Sequence, residues 1–138
     1  MATQPRPPAT VEMEWDGDLR FRGRAGEREL ALDGDSRAAV SPVEALVLAL
    51  AGCMSSDVVH ILVKGRTPPS TLTARLVAER APEEPRRVVK VDLRFSVRGS
   101  VPPEKIERAI GLSRDKYCSV WHSMRPDIAF TTSFEVAP

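Results

Sequence analysis

The stretch SPVEALVLALAGCMSSDVVHILVKGRTPP, Ser41 to Pro69, constrains this chain more than any other. Ser41 is placed to cap a helix, Pro42 suits its first position, and Glu44, following the cap by three residues, completes a capping box. Gly65, followed by Pro68 and Pro69, supplies the stop. About 23 residues at 1.5 Å each predict a helix roughly 35 Å long, enough to cross a domain of this size. Through Leu50 the helix is apolar on nearly all sides, and a helix without a polar face has to be buried all round. One small domain can hardly cover it, so a second subunit is expected against it. Ala45, Ala49, Ala51 and Gly52 would let another helix come close. Gly52 costs about 1 kcal/mol relative to alanine in a helix interior, which implies a packing or access reason for it. The unbroken apolar part, Val43 to Gly52, falls short of the roughly 20 residues that span a bilayer, and no membrane segment is expected.

The other elements follow from alternation and turn residues. Residues 1–9, with three prolines, read as a flexible tail. VEMEWDGDLRFRGRAGERELALDG alternates apolar and polar residues around glycine-containing turns and predicts an antiparallel meander of three short strands. Val11, Met13 and Trp15 share one face of the first. STLTARLVAER and RRVVKVDLRFSVRG, separated by APEEP, predict a hairpin of two long strands. In PPEKIERAIGLSRDKY, Ile106, Ala109, Ile110 and Leu112 at helical spacing predict an amphipathic helix. CSVWHSMRP makes a short helical turn and DIAFTTSFEV a closing strand. The order is that of an α+β fold in one domain over residues 10–138. A net charge of +1, with the arginines scattered among acids, gives no electrostatic case for nucleic acid or an anionic membrane surface. No charged start leads into an apolar run, so a cytoplasmic location is the expectation.

Two cysteines far apart in a reducing compartment are expected to be free thiols, metal ligands or a redox pair rather than a structural staple. Cys53 sits about three turns into the long helix, directly after Gly52. Cys118 follows Tyr117 at the junction of the second helix and the short turn. The plain reading of each is a small buried hydrophobe. The functional reading is a peroxidatic thiolate and a resolving thiol that traps its sulfenic acid. Metal binding is the rival: Cys118 and His122 share a helical face, as do Cys53 and His60, and together they would make a tetrahedral zinc set. Neither pair carries a short Cys-x-x-Cys knuckle, and no metal is expected.

Glu44 reads as the capping-box partner of Ser41, with a carboxylate orienting an arginine at the thiol as the sharper alternative. Asp57 lies one turn past Cys53, where a carboxylate favours the neutral thiol unless a cation offsets it. Its plain reading is a helix-surface ion pair. Trp121 reads as core packing, or else with His122 as a pocket wall. No phosphate cradle, nucleophile elbow or His-Glu metal motif is present in the sequence.

SPVEALVLALAGCMSSDVVHILVKGR resembles the central helix of the OsmC/Ohr superfamily, with Ser-Pro at its start and the reactive cysteine eleven residues after the proline. KYCSVWHSM resembles the segment that carries its second cysteine, and the YhfA-like branch is similar from the LRFRG strand to the closing strand. The resemblance implies an OsmC-like fold of antiparallel sheets around a long central helix, in an intertwined homodimer with two active sites at its interface. It implies thiol-dependent reduction of organic hydroperoxides, with Cys53 as nucleophile and Cys118 as resolving thiol. The disulfide would be reopened by a dithiol reductant such as a lipoyl protein. No metal or organic cofactor is implied. In the well-characterised branches a glutamate directly follows the proline and orients an arginine; here that position is Val43, and Glu44 is turned from it by about 100°. Arg20, Arg22 and Arg24 stand where the family's arginine would come from, and Arg20 is favoured to support the thiolate. Arg20 and Arg22 share a strand face, and Arg24 follows a glycine turn. The missing Pro-Glu pair motivates an alternative, a non-peroxidase dimer that binds a small apolar ligand at the subunit interface.

Overall fold

The computed structural model describes residues 4–138. Among the described residues the chain runs β1 (Glu12–Trp15), β2 (Arg20–Ala25), β3 (Arg28–Asp33), α1 (Pro42–Lys64), β4 (Thr71–Arg80), β5 (Val88–Arg98), α2 (Pro103–Leu112), a π-helical turn (Ser113–Tyr117), α3 (Ser119–His122) and β6 (Ala129–Ala137). The backbone groups into two compact units, divided between Leu46 and Val47. Of the expected tail, residues 4–9 are exposed and without regular structure, and its first three residues lie outside the described ones.

In the first unit β1, β2 and β3 form the antiparallel meander in sequence order. Register puts Met13, Gly23 and Leu30 in one row and Trp15, Phe21 and Leu32 in the next, so one face is apolar. The opposite face carries Glu12, Arg24 and Glu29 in one row, Glu14 and Arg22 in another, and Arg20 beside Asp33. Gly23 therefore lies in mid-strand rather than in a turn, and Arg24 joins Arg20 and Arg22 on their face, correcting the sequence reading. After β3 the chain folds around the buried Asp33 carboxylate, which accepts the backbone N–H groups of Asp35 at 2.8 Å, Ala38 at 2.9 Å and Arg37 at 3.3 Å. Those bonds hold it below its ordinary pKa, the Ala38 and Asp35 N–H groups contributing most.

The capping box at the start of α1 forms as expected: the Glu44 N–H donates to Ser41 Oγ at 3.1 Å, and the Ser41 N–H to Glu44 Oε1 at 2.9 Å. At the other end Gly65 is the C-cap, and the left-handed residue is Arg66, with φ of +62°. The Thr67 N–H returns to the Leu62 carbonyl at 2.9 Å and the Arg66 N–H to Val63 at 3.0 Å, the bond pair of a Schellman motif. The helix thus ends at Lys64, directly before the glycine, with the expected 23 residues.

The core of the second unit is built on two periodicities. Along α1, Leu50, Met54, Val58 and Leu62 recur every fourth residue and are 0–1% exposed. Along β5, Val91, Leu93, Phe95 and Val97 alternate with exposed or half-buried Asp92, Arg94, Ser96 and Arg98. Ile106, Ala109 and Ile110 of α2 complete it. β4 and β5 are antiparallel, but β6 pairs with β5 in parallel, giving the order β4-β5-β6. The expectation of purely antiparallel sheets is corrected here. The segment between β5 and β6 carries α2, the π turn and α3, and a helical crossover brings a strand back in the same direction. The whole is α+β, with two three-stranded sheets among the described residues.

By length and composition α1 as a whole is long and apolar enough to cross a membrane, with a mean hydropathy of 2.0 in its most apolar window. The sequence estimate counted only Val43 to Gly52, whereas the apolar residues resume at Val58. The helix nevertheless commits its Leu50–Leu62 stripe to a protein core, and Ser55, Ser56, Asp57 and His60 interrupt its middle.

Candidate active site

Cys53 and Asp57, one turn apart on α1, point to the same side of the helix. Cys118 reaches them from the far end of α2. There the helix widens into the π turn, whose last bond runs from the Cys118 N–H to the Ser113 carbonyl at 2.7 Å. Cys118 then leaves the helix in an extended conformation and caps α3, its Sγ accepting the Trp121 N–H at 3.3 Å. As a result Cys53 Sγ, Cys118 Sγ and a carboxylate oxygen of Asp57 all lie within 4.8 Å of one another. Both cysteines are free thiols; Cys53 is half-buried and Cys118 is 0% exposed. Burial pushes the Cys118 thiol up to about 11; the neighbouring Cys53 thiol adds to this, while the Trp121 and Val120 N–H groups oppose it.

Among the described residues Asp57 has no ion-pair partner of the kind its helical position suggests. Its Oδ2 accepts a hydrogen bond from the buried Ser113 hydroxyl at 2.7 Å. Ser113 went unread in the sequence. Its only local sign is its place five residues before Cys118, where the i to i−5 bond of a π turn closes.

The remaining candidates have local partners of their own. The Glu44 carboxylate is occupied at the start of α1 by the Ser41 N–H and the Ser36 hydroxyl, which together hold it below its ordinary pKa, the Ser36 bond contributing most. Arg20 lies in the first unit on the charged face of β2, its Nη2 donating to the Asp16 carbonyl at 3.3 Å. Trp121 is half-buried and packs on Phe130 with ring centroids 4.5 Å apart. His122 is exposed, with Nε2 2.9 Å from the Arg114 carbonyl oxygen, and His60 is exposed on α1. The two-cysteine, two-histidine zinc set is thus not assembled. Among the described residues, the side chains whose potential ligand atoms come within 4.8 Å of one another are those of Cys53, Asp57 and Cys118.

Residues 33–133 match the OsmC-like protein family. Protein YhfA of Escherichia coli strain K12 is 36% identical over 129 residues, which take in 91% of this chain and 96% of that protein. A crystal structure of a hypothetical protein from Aquifex aeolicus VF5 is similar with a TM-score of 0.88 at 26% identity, over 96% of this chain and 98% of the other. The organic hydroperoxide resistance protein OsmC from Legionella pneumophila shares the fold, with a TM-score of 0.73 at 12% identity, over 96% of this chain and 100% of the other.

Proposed function

The chain belongs to the OsmC-like family, and we propose that within it this protein is a thiol-dependent peroxidase that reduces organic hydroperoxides in the cytoplasm. The observation that carries the reading is the convergence of two free thiols from separate elements, their sulfurs within 4.8 Å. The half-buried Cys53 meets the substrate. Its thiolate attacks the outer peroxide oxygen, the O–O bond breaks, and the alkoxide leaves and takes up a proton as the alcohol. Cys53 is left as the sulfenic acid. The Cys118 sulfur then displaces hydroxide from it, which leaves as water with the Cys118 proton, and a disulfide forms. A dithiol reductant, of the kind a lipoyl protein presents, returns both thiols and becomes a disulfide itself.

The working unit is a homodimer. Leu46, Leu48 and Val63 of α1 are 42%, 58% and 53% exposed in the single chain, an apolar surface that a second copy would cover. Gly52 supports the same reading: a Cβ built there meets nothing within 4 Å, so the reason for a glycine is to be sought outside the single chain.

Stopped-flow consumption of cumene hydroperoxide by the reduced protein, followed by a thiol count, tests the peroxidase. Loss of both thiols is expected. Cys53→Ser abolishes turnover, and Cys118→Ser leaves a sulfenic acid that dimedone traps. Turnover at the wild-type rate in Cys53→Ser overturns the reading, as does a wild-type protein that keeps both thiols in excess peroxide.

A further inference from the structure

Asp57 fits poorly into a site whose business is a thiolate. An Asp57 carboxylate oxygen lies within 4.8 Å of both sulfurs, where thiol attack and disulfide formation give it no part to play. The same three groups suit a cation. Two thiolates and a carboxylate are ligands that zinc takes, at about 2.3 Å to sulfur and 2.0–2.2 Å to oxygen. In a tetrahedral site those bonds put neighbouring ligand atoms about 3.6–3.8 Å apart. The three atoms lie within 4.8 Å of one another, about 1 Å beyond that spacing at most.

The surroundings are those of a supported ligand set. Carboxylates that bind metals are held in place by a hydrogen bond from behind. Here the buried Ser113 hydroxyl occupies Asp57 Oδ2 at 2.7 Å, which leaves Oδ1 for another partner. Cys118 is anchored independently by the Trp121 N–H at 3.3 Å and by its own N–H on the Ser113 carbonyl. Ser113 therefore braces two of the three ligands at once, one through its side chain and one through its backbone. The half-buried Cys53 supplies the open side, where a solvent molecule completes the fourth position.

We propose that the reduced protein binds one thiophilic dication of the zinc class per chain through Cys53 Sγ, Cys118 Sγ and Asp57, with Ser113 as the residue that positions Asp57. Binding deprotonates both thiols and releases two protons to solvent. No sulfur is oxidised. A disulfide between the same two sulfurs removes two of the three ligands, so oxidation expels the metal and the metal protects the thiols. That competition rests on the peroxidase reading; the binding itself does not.

The test is anaerobic titration of the fully reduced, metal-free protein with Co²⁺, followed by displacement with Zn²⁺. The expected result is one Co²⁺ per chain, with a thiolate-to-cobalt charge-transfer band and the visible bands of a tetrahedral ion. Asp57→Asn weakens binding at least tenfold, and Ser113→Ala weakens it by about 10–100-fold while the bands keep their shape. Cys118→Ser loses the tetrahedral spectrum, and a double His60→Ala, His122→Ala variant binds as the wild type does. Circular dichroism confirms that each variant is folded. Absence of a charge-transfer band in the wild type overturns the proposal, as does an Asp57→Asn affinity equal to wild type or binding lost with the histidines. Because the titration contains no peroxide, a protein that binds Co²⁺ but spares hydroperoxide defeats the peroxidase alone, and the converse defeats the metal site alone.

Discussion

The two three-stranded sheets carry the same alternation of apolar and polar residues and meet opposite fates. In β5, Phe95, Leu93 and Val91 are 0% exposed. In the meander, Val11, Met13, Trp15 and Leu30 line up on one face and are 71%, 54%, 67% and 54% exposed. Alternation tells which face of a sheet is apolar; it does not tell whether the chain has anything to lay over that face. The second unit has a long helix stripe and an amphipathic helix to bury its sheet. For the meander the single chain leaves the apolar face open, and in a protein proposed to work as a dimer the cover is expected from the second copy. Contiguous exposed apolar faces mark association surfaces.

Truncating one aromatic from each sheet gives the largest contrast. Phe95→Ala should cost about 3–5 kcal/mol, the usual loss for a fully buried phenylalanine, and should do so at every protein concentration. Trp15→Ala should cost well under 1 kcal/mol in dilute solution, where the face is wet, and progressively more as the concentration rises and association is linked to folding. Urea unfolding at several concentrations measures both. A Trp15→Ala loss that is large and independent of concentration would show that the face is covered within one chain, and the comparison would fail.

A second contrast sits on α1. Leu48 is 58% exposed and Leu50 is 0% exposed, although they are two residues apart. Leu48→Asp is expected to give a folded chain that sediments as a monomer. Leu50→Asp, which puts an unpaired carboxylate in the core, is expected to prevent folding. A dimeric Leu48→Asp protein would remove that part of the helix from the interface.

Why some of this is legible in the sequence and some is not comes down to how far apart the interacting residues are. Ser41, Pro42 and Glu44 are neighbours, and their capping box can be read letter by letter. The strands and helices likewise follow from local period. The direction of β6 is not local: it depends on the crossover through α2 and α3, and the sequence reading of antiparallel sheets misses it. The end of α1 at Lys64 does follow from Gly65 and the prolines beyond it, although the left-handed residue there is Arg66. At the site, the pairing of Cys53 with Cys118 is reached through a family resemblance rather than through spacing. Ser113 and Asp57, 56 residues apart, meet only because a π turn redirects the end of α2, and no periodicity announces that.

Acid offers a gentler way to separate the two units. The one buried charged side chain among the described residues, Asp33, belongs to the meander, where backbone N–H groups hold its pKa below the ordinary value. A lowered folded pKa means the carboxylate stabilises the native state above its unfolded pKa of about 3.9. That stabilisation is lost as the pH falls through the lower folded value. Amide exchange around Asp35 and Ala38 should therefore accelerate before that of β5 as the pH drops below about 4. In Asp33→Asn the loop should exchange faster at neutral pH and lose this acid dependence. Equal acid sensitivity in variant and wild type would assign the effect to other carboxylates.

The smallest expected effect decides what Glu44 is for. Its carboxylate lies nine residues before Cys53 on the same helix and is bonded to the Ser41 N–H and the Ser36 hydroxyl. A group so occupied is structural. Removing the reciprocal partner by Ser41→Ala should cost about 1 kcal/mol, the usual loss of an N-cap, seen as a small fall in the urea midpoint. It should leave the rate of peroxide consumption as it was, since the helix is anchored further along by its buried stripe. If Ser41→Ala instead slowed thiol oxidation tenfold at unchanged stability, the start of α1 would be communicating with the thiols. Glu44 would then have to be read as part of the site rather than as the cap of the helix that carries it.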